Sequence, residues 1–164
     1  MTVVAEPRRT SPPYEAYAAI TGVFLGGLGV AGLAARLLDR NPACQTPLDF
    51  LVLSAASFKA ARTVAREEVT SFLREPFVRG EAHEGAEDPV QSGDYRQAIG
   101  ELVTCSRCGG TWAAAFLAST QILAPRFGRI LTWSLAAAGV NDWLQAGFAA
   151  LTQKASELEI RSPG

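Results

Sequence analysis

YAAITGVFLGGLGVAGLAA, residues 17–35, decides the fold class: it runs for nineteen residues without a charge. A helix needs about 20 predominantly apolar residues to cross ~30 Å of hydrocarbon. Two further runs follow. Residues 108–125 hold eighteen uncharged residues, and residues 130–153 hold 24 in which Asp142 is the only charge. Charged residues make up 19% of the 164-residue chain, below the ~25% usual for a soluble domain. The expectation is an all-α protein, a small polytopic membrane bundle with three or four transmembrane helices. The first run competes with a secretory signal cleaved after Ala35. It is longer than a signal's apolar core of ~7–15 residues, and sixteen residues precede it, so a retained helix is expected.

Outward from these runs the chain divides by composition. Residues 1–13, with Arg8, Arg9 and three prolines, read as a disordered basic tail. Residues 14–46 form an N-terminal membrane helix and a polar turn. In that helix Gly22, Gly26 and Gly29 offer the small-residue face that lets membrane helices pack closely. Residues 48–74 are ambiguous. An apolar stretch to Phe58 leads into Lys59, Arg62 and Arg66 on one helical face, either a weak second span or an interfacial helix. Arg62 and Arg66 are then expected at lipid headgroups. A charged helix should continue to Arg74. Residues 78–100 read as an acidic, solvent-exposed loop in which His83 is a solvated side chain. Pro125 to Arg129 reads as a turn, and 154–164 as a C-terminal tail.

The net charge of −1 offers no basic footprint for nucleic acid. Charge bias sets orientation but not the number of spans, because three and four spans both put eleven of the fifteen basic residues on one side. In both cases the acidic loop, Cys105–Cys108 and the C-terminus are cytoplasmic. Only the N-terminus changes side, and four spans are favoured. In that arrangement Lys59 and Asp142 lie 11 and 12 residues into their helices, ~16.5 and ~18 Å deep at 1.5 Å per residue. An unpaired charge there costs ~2.5–3.5 kcal/mol, so an intramembrane Lys59–Asp142 ion pair, shared with Arg62, is expected.

Cys105-Ser106-Arg107-Cys108 opens the third apolar run. Two thiols three apart at a helix start suit a reactive thiolate, or half of a zinc site, or simply small buried side chains. Zinc wants four ligands, so a metal here would require Cys105 and Cys108 from each of two copies. A cytoplasmic face keeps the thiols reduced.

The segment from Gly100 to Trp112, with Glu101-Leu102-Val103-Thr104-Cys105, Cys108, Gly110 and Trp112, resembles the signature of a bacterial membrane family, domain of unknown function 1360. Leu51 to Phe77 is similar to that family's other block, in which an apolar stretch leads to paired basic residues, an acidic residue and a Leu-Arg-x-Pro-Phe motif. The resemblance spans roughly residues 47–151. It implies a family core over 47–153 in a multi-pass inner-membrane protein, with the N-terminal helix as an addition. Lys59 stands where the family favours Arg, and Ser106-Arg107 where it often has Pro-Trp. Some members are linked to sporulation, and the resemblance implies no established activity.

No phosphate-cradling loop and no Ser/His/Asp set is present. The leading expectation is therefore a non-enzymatic structural, scaffold or accessory subunit, assembling with itself or with other membrane proteins. A membrane thiol oxidoreductase using Cys105 and Cys108 is the alternative, and a minor transporter or channel component the third.

Overall fold

In the computed structural model, which describes residues 12–40, 45–80 and 87–161, the chain is a bundle of helices. Most of the basic tail, Cys44, His83 and residues 162–164 lie outside the described residues. Helix α1 spans Tyr14–Leu37, and α2 spans Pro47–Arg66. A 3₁₀ turn leads to the single-turn α3, Ser71–Arg74. Strands β1 (Val78–Arg79) and β2 (Asp88–Pro89) pair antiparallel, Val78 opposite Pro89. Helices α4 (Tyr95–Thr104), α5 (Ser106–Leu123) and α6 (Pro125–Arg161) complete the chain.

Local chemistry sets the helix ends. Thr46 and Asp49 form a reciprocal capping box at the start of α2, which Pro47 favours at the first helical position. The charged helix expected to run on to Arg74 stops at Arg66. Glu67 is extended (φ −82°, ψ 140°), and the Thr70 hydroxyl donates to the Thr63 carbonyl at 2.6 Å. The orphan carbonyls of α2 thus find side-chain donors, and the backbone is free to turn. The expected acidic loop also differs at its end: Asp94 accepts from the Arg96 amide and caps α4, so Tyr95 onward is helical. The turn expected at 125–129 is already the first turn of α6. Pro125 starts that helix, and Gly128 lies so close to the Gln121 backbone that an added Cβ would fall 2.6 Å from it.

Helix α2 is central. It packs lengthwise on α5 and α6, and the buried core of Ala56, Leu117 and Ala136 comes from these three helices. They approach through small residues: a Cβ on Gly139 of α6 would lie 3.2 Å from the Ala55 carbonyl and from Lys59 Cβ. Buried Thr132 returns its hydroxyl to the Gly128 carbonyl at 2.7 Å, so no polar group is stranded there.

Helix α1 lies outside this core, against α5 and α4. Its Tyr17 hydroxyl donates to Glu101, and Phe24 packs on Trp112 with ring centroids 5.0 Å apart. Among the described residues it is the one helix both long and apolar enough, by length and composition, to cross a membrane. The packing expected of Gly22, Gly26 and Gly29 is not made among the described residues. A Cβ at any of them would meet nothing within 4 Å.

Candidate functional site

Four sequence-derived site residues come together at the α2–α6 contact. Lys59 and Asp142 meet because α2 and α6 run in the same direction with Ala55 beside Gly139 and each charge one turn further on. Lys59 Nζ lies 2.9 Å from Asp142 Oδ2. It also lies 2.6 Å from Glu67 Oε1, a partner the sequence reading did not assign. The expected sharing with Arg62 is replaced by this carboxylate. Eight residues of separation is not a helical pairing distance. Only the reversal of the chain after Arg66 brings Glu67 back to Lys59.

Lys59 is thus the hub of a three-charge cluster, with its side chain largely covered and the two carboxylates partly open. Arg62 and Arg66 stand on the adjoining turns of α2, exposed, along one groove with Phe58, Glu67, Asp142 and Trp143. The cluster supplies neutralised charge and positive surface.

Arg74 is the buried residue that sequence reasoning passed over. It is 1% exposed. Its Nε donates to Glu87 at 2.7 Å, while one terminal nitrogen donates to the carbonyls of Val64 (2.6 Å) and Glu67 (3.0 Å) and to the Thr70 hydroxyl (3.0 Å). The guanidinium therefore closes the end of α2 and ties the segment before β2 to it. The signal was present in the Leu73-Arg74-Glu75-Pro76-Phe77 block, but nothing in the sequence said that this arginine, rather than Arg62 or Arg66, is interior.

The cysteine pair is built on the α4–α5 junction. Gly100 packs against the Phe77 carbonyl so closely that no side chain fits there. Glu101 accepts from Tyr17 and from Gln97, and the Thr104 hydroxyl returns to the Gly100 carbonyl. Cys105 then breaks the helix (φ −94°, ψ 100°) and caps α5, its sulfur accepting from the Cys108 amide at 3.3 Å. Cys105 is half-buried and Cys108 exposed, and both are free thiols. The Cys108 thiol donating to Cys105, helped by backbone N–H groups and the Arg107 charge, holds the Cys105 thiol below its ordinary value. Among the described residues no group of three or more His, Cys, Asp or Glu gathers in metal-binding geometry. This chain brings two thiols to the site.

The architecture defines a class: a helical bundle in which a cysteine-capped helix and a lysine-centred charge cluster brace one central helix. Comparison with known proteins gives the family. The chain belongs to the family described as "Protein of unknown function (DUF1360)", whose match covers residues 52–148. It is 30% identical over 112 residues to the sporulation protein YjcA of Bacillus subtilis (strain 168), across 60% of this chain and 95% of that one. It is 25% identical over 99 residues to the UPF0713 protein YngL of the same organism, across 60% and 76%. No solved structure matches. The matched span holds most of α2, most of α6 and everything between them, with Cys105, Cys108, the Lys59 cluster and Arg74, and leaves α1 outside.

Proposed function

We propose that this protein is a non-enzymatic integral membrane subunit of the bacterial inner membrane, built on four spans and acting as a scaffold or accessory component. The observation that carries the reading is the outward face of the helices. Leu25 and Leu33 of α1, Phe50 and Leu51 of α2, and Trp143 and Phe148 of α6 are all exposed. Large apolar side chains cover the outside while alanine fills the core, the inverse of a water-soluble bundle. Several polar groups in the same helices are satisfied internally, as a bilayer favours: Ser54 and Thr120 donate to carbonyls one turn back and Lys59 sits between two carboxylates, while the Thr63 hydroxyl of α2 is buried without a partner among the described residues.

Helix direction favours four spans over three. Tyr17 meets Glu101, Phe24 meets Trp112 and Ala35 lines a cleft with Ile122, so α1 runs parallel to α5. Ala61 meets Gly109 while Ala56 clusters with Leu117, so α2 runs antiparallel to both. An up-down-up-down order has the start of α1, the cysteine pair and the end of α6 at one end, which charge bias assigns to the cytoplasm. The test is extraction of native membranes with alkaline carbonate, paired with an N-terminal reporter. The protein should stay in the pellet and the reporter should be active only in the cytoplasm. Release by carbonate overturns the reading, and an external N-terminus reduces it to three spans.

The capped thiol supports a second reading, a membrane thiol oxidoreductase using Cys105 and Cys108. A zinc ion on the same pair requires the two cysteines of a second copy, so metal content and a dimer should appear or vanish together.

A further inference from the structure

The groove between α2 and α6 has two halves that meet at Phe58 and Trp143, whose rings lie edge to face with centroids 6.2 Å apart. One half is apolar and lined by Ala55, Gly139, Val140 and Leu144. The other is charged and lined by Lys59, Arg62, Arg66, Glu67 and Asp142. The apolar half lies toward the middle of α2 and the charged half at its Arg66 end. In the proposed orientation these are bilayer interior and cytoplasmic headgroup region.

The charges in the groove do not cancel. Lys59 is held by two carboxylates, which leaves that trio at −1. Arg62 and Arg66 add two positive charges, and among the described residues neither makes a salt bridge. One turn apart on the same face, two guanidiniums stand at about 5–6 Å spacing between Cβ atoms, close enough to share the non-bridging oxygens of one phosphate. The groove is therefore left with one positive charge beside an apolar channel. We propose that it holds a single phospholipid whose headgroup carries a net charge of −1, phosphate on Arg62 and Arg66, one acyl chain along Val140 and Leu144 beneath the Phe58–Trp143 pair. The site rests on the membrane reading above and extends it from general headgroup contact to a discrete lipid site of defined charge. A zwitterionic lipid leaves the positive charge uncompensated and is discriminated against. The cluster around Lys59 then has a second role: its carboxylates reduce the groove's charge to that of one phosphodiester.

The test uses the full chain purified in mild detergent, with phosphatidylglycerol, phosphatidylcholine and free glycerol phosphate as probes. Bound lipid is counted by native mass spectrometry and binding is followed by the thermal midpoint. Phosphatidylglycerol should bind at one per chain and raise the midpoint, while phosphatidylcholine and glycerol phosphate should not. Arg62→Gln with Arg66→Gln, both at exposed positions outside the core, should weaken phosphatidylglycerol about thirtyfold, from ~1 kcal/mol for each basic residue. Trp143→Ser should weaken binding while leaving the charge preference in place. Equal retention of the two lipids, or full binding by the double variant, overturns the site. A midpoint shift with glycerol phosphate as large as with the lipid overturns the acyl-chain half and assigns a soluble phosphate instead. Carbonate extraction separates the two readings: release of the wild-type chain overturns the membrane assignment, whereas retention together with equal lipid binding overturns the groove alone.

Discussion

Helices α1 and α2 lie against the same α5, yet they are held by opposite means. Helix α2 buries Ala56, Ser57, Ala61 and Ala65 and sends Lys59 into an ion cluster, and its end is closed by Arg74. Helix α1 buries Ala16 and Ala35, and its five glycines face open space. It meets the bundle through Tyr17 with Glu101 near its start and Phe24 with Trp112 near its middle. The difference shows what each helix depends on. The placement of α2 follows from the atoms around it, whereas most of α1 is open to whatever surrounds the bundle. The family match begins at residue 52 and follows the same division.

The sharpest break is Arg74→Met. It strands the Glu87 carboxylate and takes the short 2.6 Å donor from the Val64 carbonyl, while the Glu67 carbonyl keeps the Thr70 amide and hydroxyl, so unfolding in detergent should show a loss of about 3–5 kcal/mol. A loss under ~1 kcal/mol, the scale of a surface pair, would mean Arg74 does not hold the α2 end. Next is the charge cluster. Lys59→Ala abandons two carboxylates, whereas Asp142→Ala leaves Lys59 on Glu67, so the first should cost about 2–3 kcal/mol and the second about half of that. The exchange Lys59→Asp with Asp142→Lys should recover part of the loss. Equal costs for the two single changes would place the balance of the cluster on Asp142 instead of Lys59.

A glycine pair then contrasts the two regions directly. Gly139→Ala pushes a methyl group against Ala55 and Lys59, an overpacking expected to cost about 1–3 kcal/mol. Gly26→Ala meets nothing and should be neutral or stabilising by up to ~1 kcal/mol through helix propensity. If Gly26→Ala lowers the thermal midpoint, a partner occupies that face, and chemical cross-linking of the wild type should capture it. The smallest effect is kinetic. Because its neighbours favour the thiolate, Cys105 should alkylate with a midpoint below the ordinary thiol value of about 8.5, its rate rising as pH passes that midpoint. Cys108→Ala removes the largest cause and should move the midpoint upward. An unchanged midpoint would refute the hydrogen-bond explanation and weaken the oxidoreductase reading.

Much of this was legible in the residues because it rests on periodicity and punctuation. The apolar runs mark α1, α5 and the middle of α6, and Pro125 marks a helix boundary, although the short turn expected after it proved to be helix. Lys59 and Asp142 could be matched because both were counted from the same end of parallel helices, and depth in a helix is linear in residue number. Glu67 and Tyr17 could not be found this way. Their partners lie eight and 84 residues distant, across chain reversals that no local pattern encodes.

By itself, then, the sequence determined the four long helices, but not the short α4 or the break at Glu67. It also determined which family they form and where thiols and charges stand along each helix, since all of these depend on residue order and local backbone chemistry. Only the tertiary structure decided which charge is interior. Arg62, Arg66 and Arg74 are chemically identical, and α2 carries the first two outward while the turn at Glu67 folds the third back beneath its own last carbonyls. Burial is a property of where the chain goes after a residue, and a buried guanidinium is stable only where carbonyls and a carboxylate have already been gathered to meet it.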